Sequence, residues 1–261
     1  MYKRQFQTRL PFDALPVWRD LRAESLDEQR RALGDPALRE KLIWEADSGD
    51  YGRAIGAEAR KPEWHRVFPV NSGLPPYDTI EELSAAQGTS PMETFLDLAI
   101  ESDLNLFFMQ SVANQDQDRV LEFLRHPYAI PTFSDSGAHV SQIMDSSLQT
   151  HLLGHWVRNE QAIELEEAVH RMTGVPAQAW GFTDRGRIAE GLAADINVFD
   201  IDTVTPDLPE LLYDLPGGAR RLRQTASGFR ATIVNGDVLV DEGTPTGARP
   251  GQLLRGSLAK S

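Results

Sequence analysis

The chain contains no cysteine among its 261 residues. That excludes disulfides, thiolate metal sites and cysteine nucleophiles at once, so a metal here would rest on His, Asp and Glu. Basic residues are also scarce, 26 Lys and Arg against 39 Asp and Glu, for a formal net charge of −13. A chain of this sign is repelled by nucleic acid and by anionic membrane, so neither is expected as a partner. No apolar run approaches the roughly 20 residues that span a bilayer. The start, Met1-Tyr2-Lys3-Arg4-Gln5, is basic but leads into Phe6-Gln7-Thr8-Arg9 without the apolar stretch of a secretory signal. A small-molecule substrate and a cytoplasmic location are the expectations. Nor is there a His-X-His pair, and before residue 126 the sequence offers His65 as its one histidine.

What the sequence does hold is 41% hydrophobic residues, enough for a sizeable core. Residues 13–62 read as charged helices. Ser25-Leu26-Asp27-Glu28 is a capping box, with Gly34 placed to end that helix, and Asp35-Pro36 opens the next. Residues 62–79, rich in Pro, Gly, Asn and Trp, read as an irregular loop. We expect residues 13–88 to form a lid-like cover rather than a core, with Trp64 as the one tryptophan suited to a lid. Ser90-Pro91-Met92-Glu93 is a second capping box, ahead of an apolar stripe of Met92, Phe95, Leu96 and Ala99. Residues 104–109 and 128–133 have the length and apolarity of strands, separated by a helix over 116–124 with Val120, Phe123 and Leu124 facing inward. This succession suggests a parallel β/α arrangement.

Helical patterns return over 147–158 and 164–174. From residue 182 the texture changes to short β segments, 196–199, 231–234 and 238–240, with Asn235-Gly236 as a strong hairpin signal. The division expected is therefore residues 1–181 and a small β subdomain over 182–261.

The stretch with most chemical content is Thr132-Phe133-Ser134-Asp135-Ser136-Gly137-Ala138-His139. An apolar run delivers Asp135 and His139 onto a Gly-containing turn, as a parallel-sheet enzyme presents a carboxylate at the end of a strand. Asp135 reads either as a catalytic acid and base or as a capping aspartate. Ser134 and His139 are candidates for substrate contact; the alternative for His139 is a loop histidine bonded locally. His151 and His155 stand four apart on a predicted helix, a spacing that can chelate zinc, but the residue after the first is Leu152 where a zinc protease has Glu. A packed or surface pair is the preferred reading there, and a helical zinc hydrolase a distant one.

Several of these segments together resemble the D-aminoacylase-like branch of the amidohydrolase superfamily. The resemblance is carried by Arg125-His126-Pro127, Ser134-Asp135, residues 150–158 (THLLGHWVR), Leu165-Glu166-Glu167-Ala168-Val169, Asp184-Arg185-Gly186-Arg187-Ile188, residues 191–200 (GLAADINVFD), and the closing Val234-Asn235-Gly236, 246–251 and 254–256. It covers roughly residues 90–256. The resemblance implies the C-terminal part of a (β/α)8 metal-dependent hydrolase barrel plus a small β-sandwich subdomain. It also implies a divalent metal, zinc by expectation, a small-molecule N-acyl substrate, and hydrolysis of a non-peptide C–N bond of the N-acyl amino acid type. Asp135 matches the family's final-strand aspartate, which shuttles the proton and stands beside the metal. The family's histidine ligands precede the part resembled, so the chain is expected to be an N-terminally truncated portion, inactive alone. The alternative is a non-catalytic α/β binding or scaffolding module that keeps the fold without the metal centre.

Overall fold

The computed structural model describes residues 2–52, 60–131, 134–144 and 146–254. Most helices of the first half form where their capping signals place them. Helix α1 spans Pro16–Ala23, α2 Leu26–Ala32 and α3 Pro36–Ser48. Ser25 and Glu28 close the expected capping box, and Asp35 caps α3 by accepting the Ala37 N–H. Helix α1 has no side-chain cap of its own. Its free Val17 and Trp18 N–H groups are instead taken at 3.1 Å by the two oxygens of Glu45, a buried carboxylate on α3. Trp18 is fully buried and its indole N–H donates to the Leu42 carbonyl at 3.0 Å, locking α1 to α3 a second time.

Helices α4 (Ile80–Gln87) and α5 (Pro91–Glu101) follow, each opened by a capping box, Thr79 with Glu82 and Ser90 with Glu93. Met92, Phe95, Leu96 and Ala99 are all buried, as their stripe predicts. The strands β1 (Tyr2–Arg4), β2 (Val67–Pro69) and β3 (Phe108–Gln110) make a sheet with β3 in the centre. Alternation along this strand splits the interior. Phe108 joins the largest cluster, with Phe12, Trp18, Leu42, Ile80 and Phe95, whereas Phe107 and Met109 join a second one with Val70, Met144 and Leu222. Residues of 13–88 thus supply much of the largest core. Trp64 packs half-buried against it, its ring 6.3 Å from that of Phe12 and 6.0 Å from that of Phe95.

Two expectations about strands are corrected. Both neighbours of β3 run antiparallel to it, with Met109 opposite Lys3 on one side and Phe68 on the other. No closed barrel is seen among the described residues, and the fold is a mixed α/β one with small antiparallel sheets. The run 128–131 is a turn and coil, not a strand, and residues 132–133 lie outside the described set. Pro127 and Pro131 remove two ladder donors there, and Tyr128 is 89% exposed. Helix α6 (Gln117–Arg125), capped by Asp116, forms as expected and turns Val120 and Leu124 into a third cluster with Leu152 and Trp156. Phe123, expected inside, is 61% exposed, because the partly buried stripe passes through 120, 121 and 124.

Helix α7 (Leu148–His151) runs directly into a π-helical stretch, Leu152–Asn159, followed by α8 (Leu165–Met172) and α9 (Gly174–Ala179). The remainder is β structure. Strands β4 (Ile196–Phe199), β5 (Thr205–Pro206), β6 (Glu210–Leu215), β7 (Ala219–Arg223), β8 (Ala226–Ser227), β9 (Phe229–Val234), β10 (Asp237–Asp241) and β11 (Thr244–Pro245) pair antiparallel. The largest sheet has the order β11-β10-β9-β4. Asn235 (φ 48°) and Gly236 (φ 90°) make its tight turn, both in the left-handed region that this hairpin requires. None of the described helices is long and apolar enough to cross a membrane.

Candidate active site

One cavity of about 1060 Å³ gathers most of the chemistry. Its walls come from five places: the segment from His65 to Glu82, the loop after β3, helix α6, the turn at Ser134 and Asp135, and the helix from Ser147 to Trp156. Pro75, Phe68, Val120, Leu124 and Trp156 give it an apolar lining, into which a small number of polar groups converge.

Asp135 sits at the rim, exposed, with φ 59°. Aspartate tolerates this left-handed conformation better than most residues, and backbone held there by its surroundings is a frequent property of functional turns. The turn is closed behind it by the Ala138 N–H donating to the Asp135 carbonyl at 3.1 Å and by the Gly137 N–H donating to Ile143 at 3.2 Å. Ser134 lines the cavity beside it. His139 does not. It is exposed, and its ring stands 5.8 Å from that of Tyr2, on the other side of the turn.

Another part of the lining carries residues that sequence reasoning set aside. His151 and His155 both face the cavity, ring centroids 4.9 Å apart at an interplanar angle of 53°. Their helix is π-wound at this point, with the Glu160 N–H donating to the His155 carbonyl five residues back at 2.8 Å. Such segments are rare and cluster at functional sites. Burial, and then the neighbouring His155, lower the His151 pKa to about 4. Burial lowers that of His155 too, against an opposing pull from Glu160. Both imidazoles are therefore neutral near pH 7. The spacing of these two was visible in the sequence; the cavity that receives them was not.

Tyr77, Arg66 and His65 add to the polar lining. Burial raises the Tyr77 phenol to about 12, so it stays protonated and can donate. Arg66 is the fixed cation among the lining residues, held by Glu63 at 2.5 Å three residues away. These three lie in the irregular stretch whose lack of periodicity hid them. Among the described residues no group of three or more His, Asp or Glu is close enough to hold a metal ion. Asp135, expected to share a metal, has no partner ligands of that kind there.

Comparisons with known proteins show what the chain is similar to. A model described as the Amidohydrolase family matches residues 46–240. An N-acyl-D-glutamate deacylase of Alcaligenes xylosoxydans xylosoxydans is 39% identical over 106 residues, covering 41% of this chain and 20% of the relative. An N-acyl-D-aspartate deacylase of the same organism is 29% identical over 199 residues, 73% of this chain and 34% of the relative. Solved structures include a D-aminoacylase, at 23% identity and TM-score 0.41, covering 70% of this chain and 36% of that one. Another is an N-acyl-D-glutamate deacylase from Bordetella bronchiseptica solved with zinc and a phosphonate inhibitor, at 25% identity and TM-score 0.41, covering 73% and 37%. The chain thus spans a fifth to about a third of the length of these curated relatives. With three quarters of its residues inside the family match, the chain belongs to the amidohydrolase family, in the branch of D-aminoacylase and the N-acyl-D-amino-acid deacylases.

Proposed function

We propose that this chain is the C-terminal part of a (β/α)8-type amidohydrolase that hydrolyses the C–N bond of N-acyl amino acids, with Asp135 as its proton-transfer residue. The observation that carries this reading is the position of Asp135: an aspartate on a closed left-handed turn, at the rim of an apolar cavity of a size that fits a small N-acyl substrate. In the reaction a water oxygen bonds to the acyl carbon, its proton passes to the Asp135 carboxylate, and the same proton goes on to the amide nitrogen as the C–N bond breaks. A carboxylic acid and a free amino acid leave. Arg66 faces the same space and is the group suited to the substrate's carboxylate. Tyr77, a protonated donor, can hold the acyl or amide oxygen. Ser134 lies beside Asp135 and completes the rim.

The zinc seen in the Bordetella relative has no matching ligand set among the described residues. The residues of 65–82 that line the cavity are the part of 13–88 suited to cover it.

The test is hydrolysis by the protein that carries this chain, supplied with zinc. N-acyl-D-glutamate and N-acyl-D-aspartate should release free amino acid, and Asp135→Asn should lower kcat by about 10²–10⁴-fold with folding intact. Turnover near normal in that variant would remove Asp135 from the mechanism. No release from any N-acyl amino acid would favour a non-catalytic binding module of the same fold.

A further inference from the structure

We propose that His151 and His155 form a second, separate site that binds a divalent transition metal on the wall of the cavity. The ring separation is that of a chelating pair. Two imidazoles on one tetrahedral ion, with metal–nitrogen distances of about 2.0–2.1 Å, have ring centroids about 5 Å apart. The observed separation is 4.9 Å. Residues four apart share one face of a helix, and both rings line the cavity where α7 passes into the π-helical stretch.

The chemistry agrees. A ligating imidazole must be neutral, and both rings are held so by burial. His155 is only 7% exposed, and its Nδ1 has no hydrogen-bond partner among the described residues. The carboxylate facing that atom is Glu160, 3.8 Å away and exposed to solvent. A small inward movement of Glu160 would let Nδ1–H donate to it and would leave Nε2 as the free lone pair. That is the arrangement by which carboxylates orient metal-binding histidines. An orphaned buried nitrogen is otherwise costly to keep. Imidazole suits zinc, copper and nickel, and two protein ligands leave open positions for water or an anionic ligand in the cavity. With two ligands instead of three the site is exchangeable, unlike a structural zinc. The inference stands apart from the hydrolase reading and needs no activity to test it.

The experiment is calorimetric titration of the whole chain with Zn²⁺ at pH 7.5, together with Cu²⁺ electron paramagnetic resonance. The expected result is one saturable site per chain and a copper signal split by two nitrogens. His151→Gln and His155→Gln should each weaken binding by more than tenfold, and Glu160→Gln by about 10–100-fold, the usual loss when an orienting carboxylate is removed. Glu160 is exposed, so its variant reports on the site even if a histidine variant fails to fold. His126→Gln and His170→Gln should leave binding unchanged. No saturable binding, or affinity that survives both His151→Gln and Glu160→Gln, overturns the proposal.

Discussion

Residues 2–110 and residues 182–254 are held together by different means. The first region places Phe12, Trp18, Leu33, Leu42, Ile80, Met92 and Leu96 in one cluster, each at or near zero exposure. In the second, the buried side chains among the described residues are Val204, Pro206, Pro209 and Leu222. Two of these look outward from the β region: Leu222 packs with Phe107 and Met109 of the first region, and the Val204 carbonyl faces Gly154 of the π-helix. The four-stranded sheet itself buries nothing fully. It is specified by its turns and ladders, notably Asn235-Gly236 and the register of β9 with β10 and β4. A helical layer can therefore be fixed by burial, and a sheet by local turn chemistry, within one chain.

The largest test of that contrast is truncation of a core aromatic. Trp18→Ala should cost about 3–5 kcal/mol, the usual range for a buried aromatic, because it empties a site lined by Phe6, Phe12 and Leu42. Phe229→Ala, on a half-buried strand, should cost far less. Urea midpoints followed by far-UV circular dichroism decide it. Equal shifts would mean that the sheet has a core that the burial pattern hides.

Closely packed glycines give the next effect. A Cβ at Gly73 would stand 1.8 Å from the Pro206 carbonyl oxygen, and one at Gly228 would stand 2.5 Å from Val204 Cα. Gly236 shares the positive φ of Gly228 but has open space around it. Gly228→Ala should therefore destabilise by about 1–3 kcal/mol more than Gly236→Ala, the overpacking penalty beyond backbone strain alone. If the two lose the same amount, the close approach of Gly228 to Val204 does not constrain packing inside the β region.

The titration of the cavity wall is smaller and depends on pH. His151 titrates near 4 when folded and near 6.5 when unfolded. Below about 6.5 the unfolded chain takes up protons that the folded chain refuses, so this contribution to stability is full above 6.5 and lost as pH falls through 4. His155, shifted in the same direction, adds to it. The exposed capping carboxylates Glu28, Glu82 and Glu93 are held below their ordinary value, so their contribution falls away at lower pH. Thermal midpoints of His151→Gln should vary less than those of the parent between pH 6.5 and 4. A parallel curve would show that the histidine is accessible to protons in the folded state.

The two regions were also legible to different degrees. Capping boxes at Ser25 and Ser90, the Asp35-Pro36 start and the Asn235-Gly236 turn are written in adjacent residues, so local chemistry alone places them. The box of Thr79 and Glu82 carries the same signal at the very end of the stretch read as loop. Strand partners were not legible. A three-residue strand such as β3 has no pattern of its own that selects antiparallel neighbours from the chain start and from residue 67. The cavity was legible in part. Asp135 stood out by its turn, and His151 and His155 by their spacing, but Arg66 and Tyr77 reach it from a segment with no period. The core role of residues before 88 was hidden by their surface charge, since Glu45 looks solvated until its two hydrogen bonds to α1 are seen.

The gentlest test uses one substitution in both regions. Valine to threonine keeps the shape and the β preference and changes only a methyl to a hydroxyl, so it reads burial directly. Val67 on β2 is 4% exposed and packs into the main core, whereas Val238 on β10 is 41% exposed opposite Ile233. Val67→Thr should cost about 1–3 kcal/mol, because its hydroxyl enters an apolar cluster. Val238→Thr should stay within about 0.5 kcal/mol of the parent, as exposed substitutions generally do. Urea midpoints at two protein concentrations separate the remaining possibilities. If Val238→Thr costs as much as Val67→Thr and the loss grows with concentration, the face of β10 is covered by another copy of the chain in solution, and the contrast between the two regions holds for the single chain only.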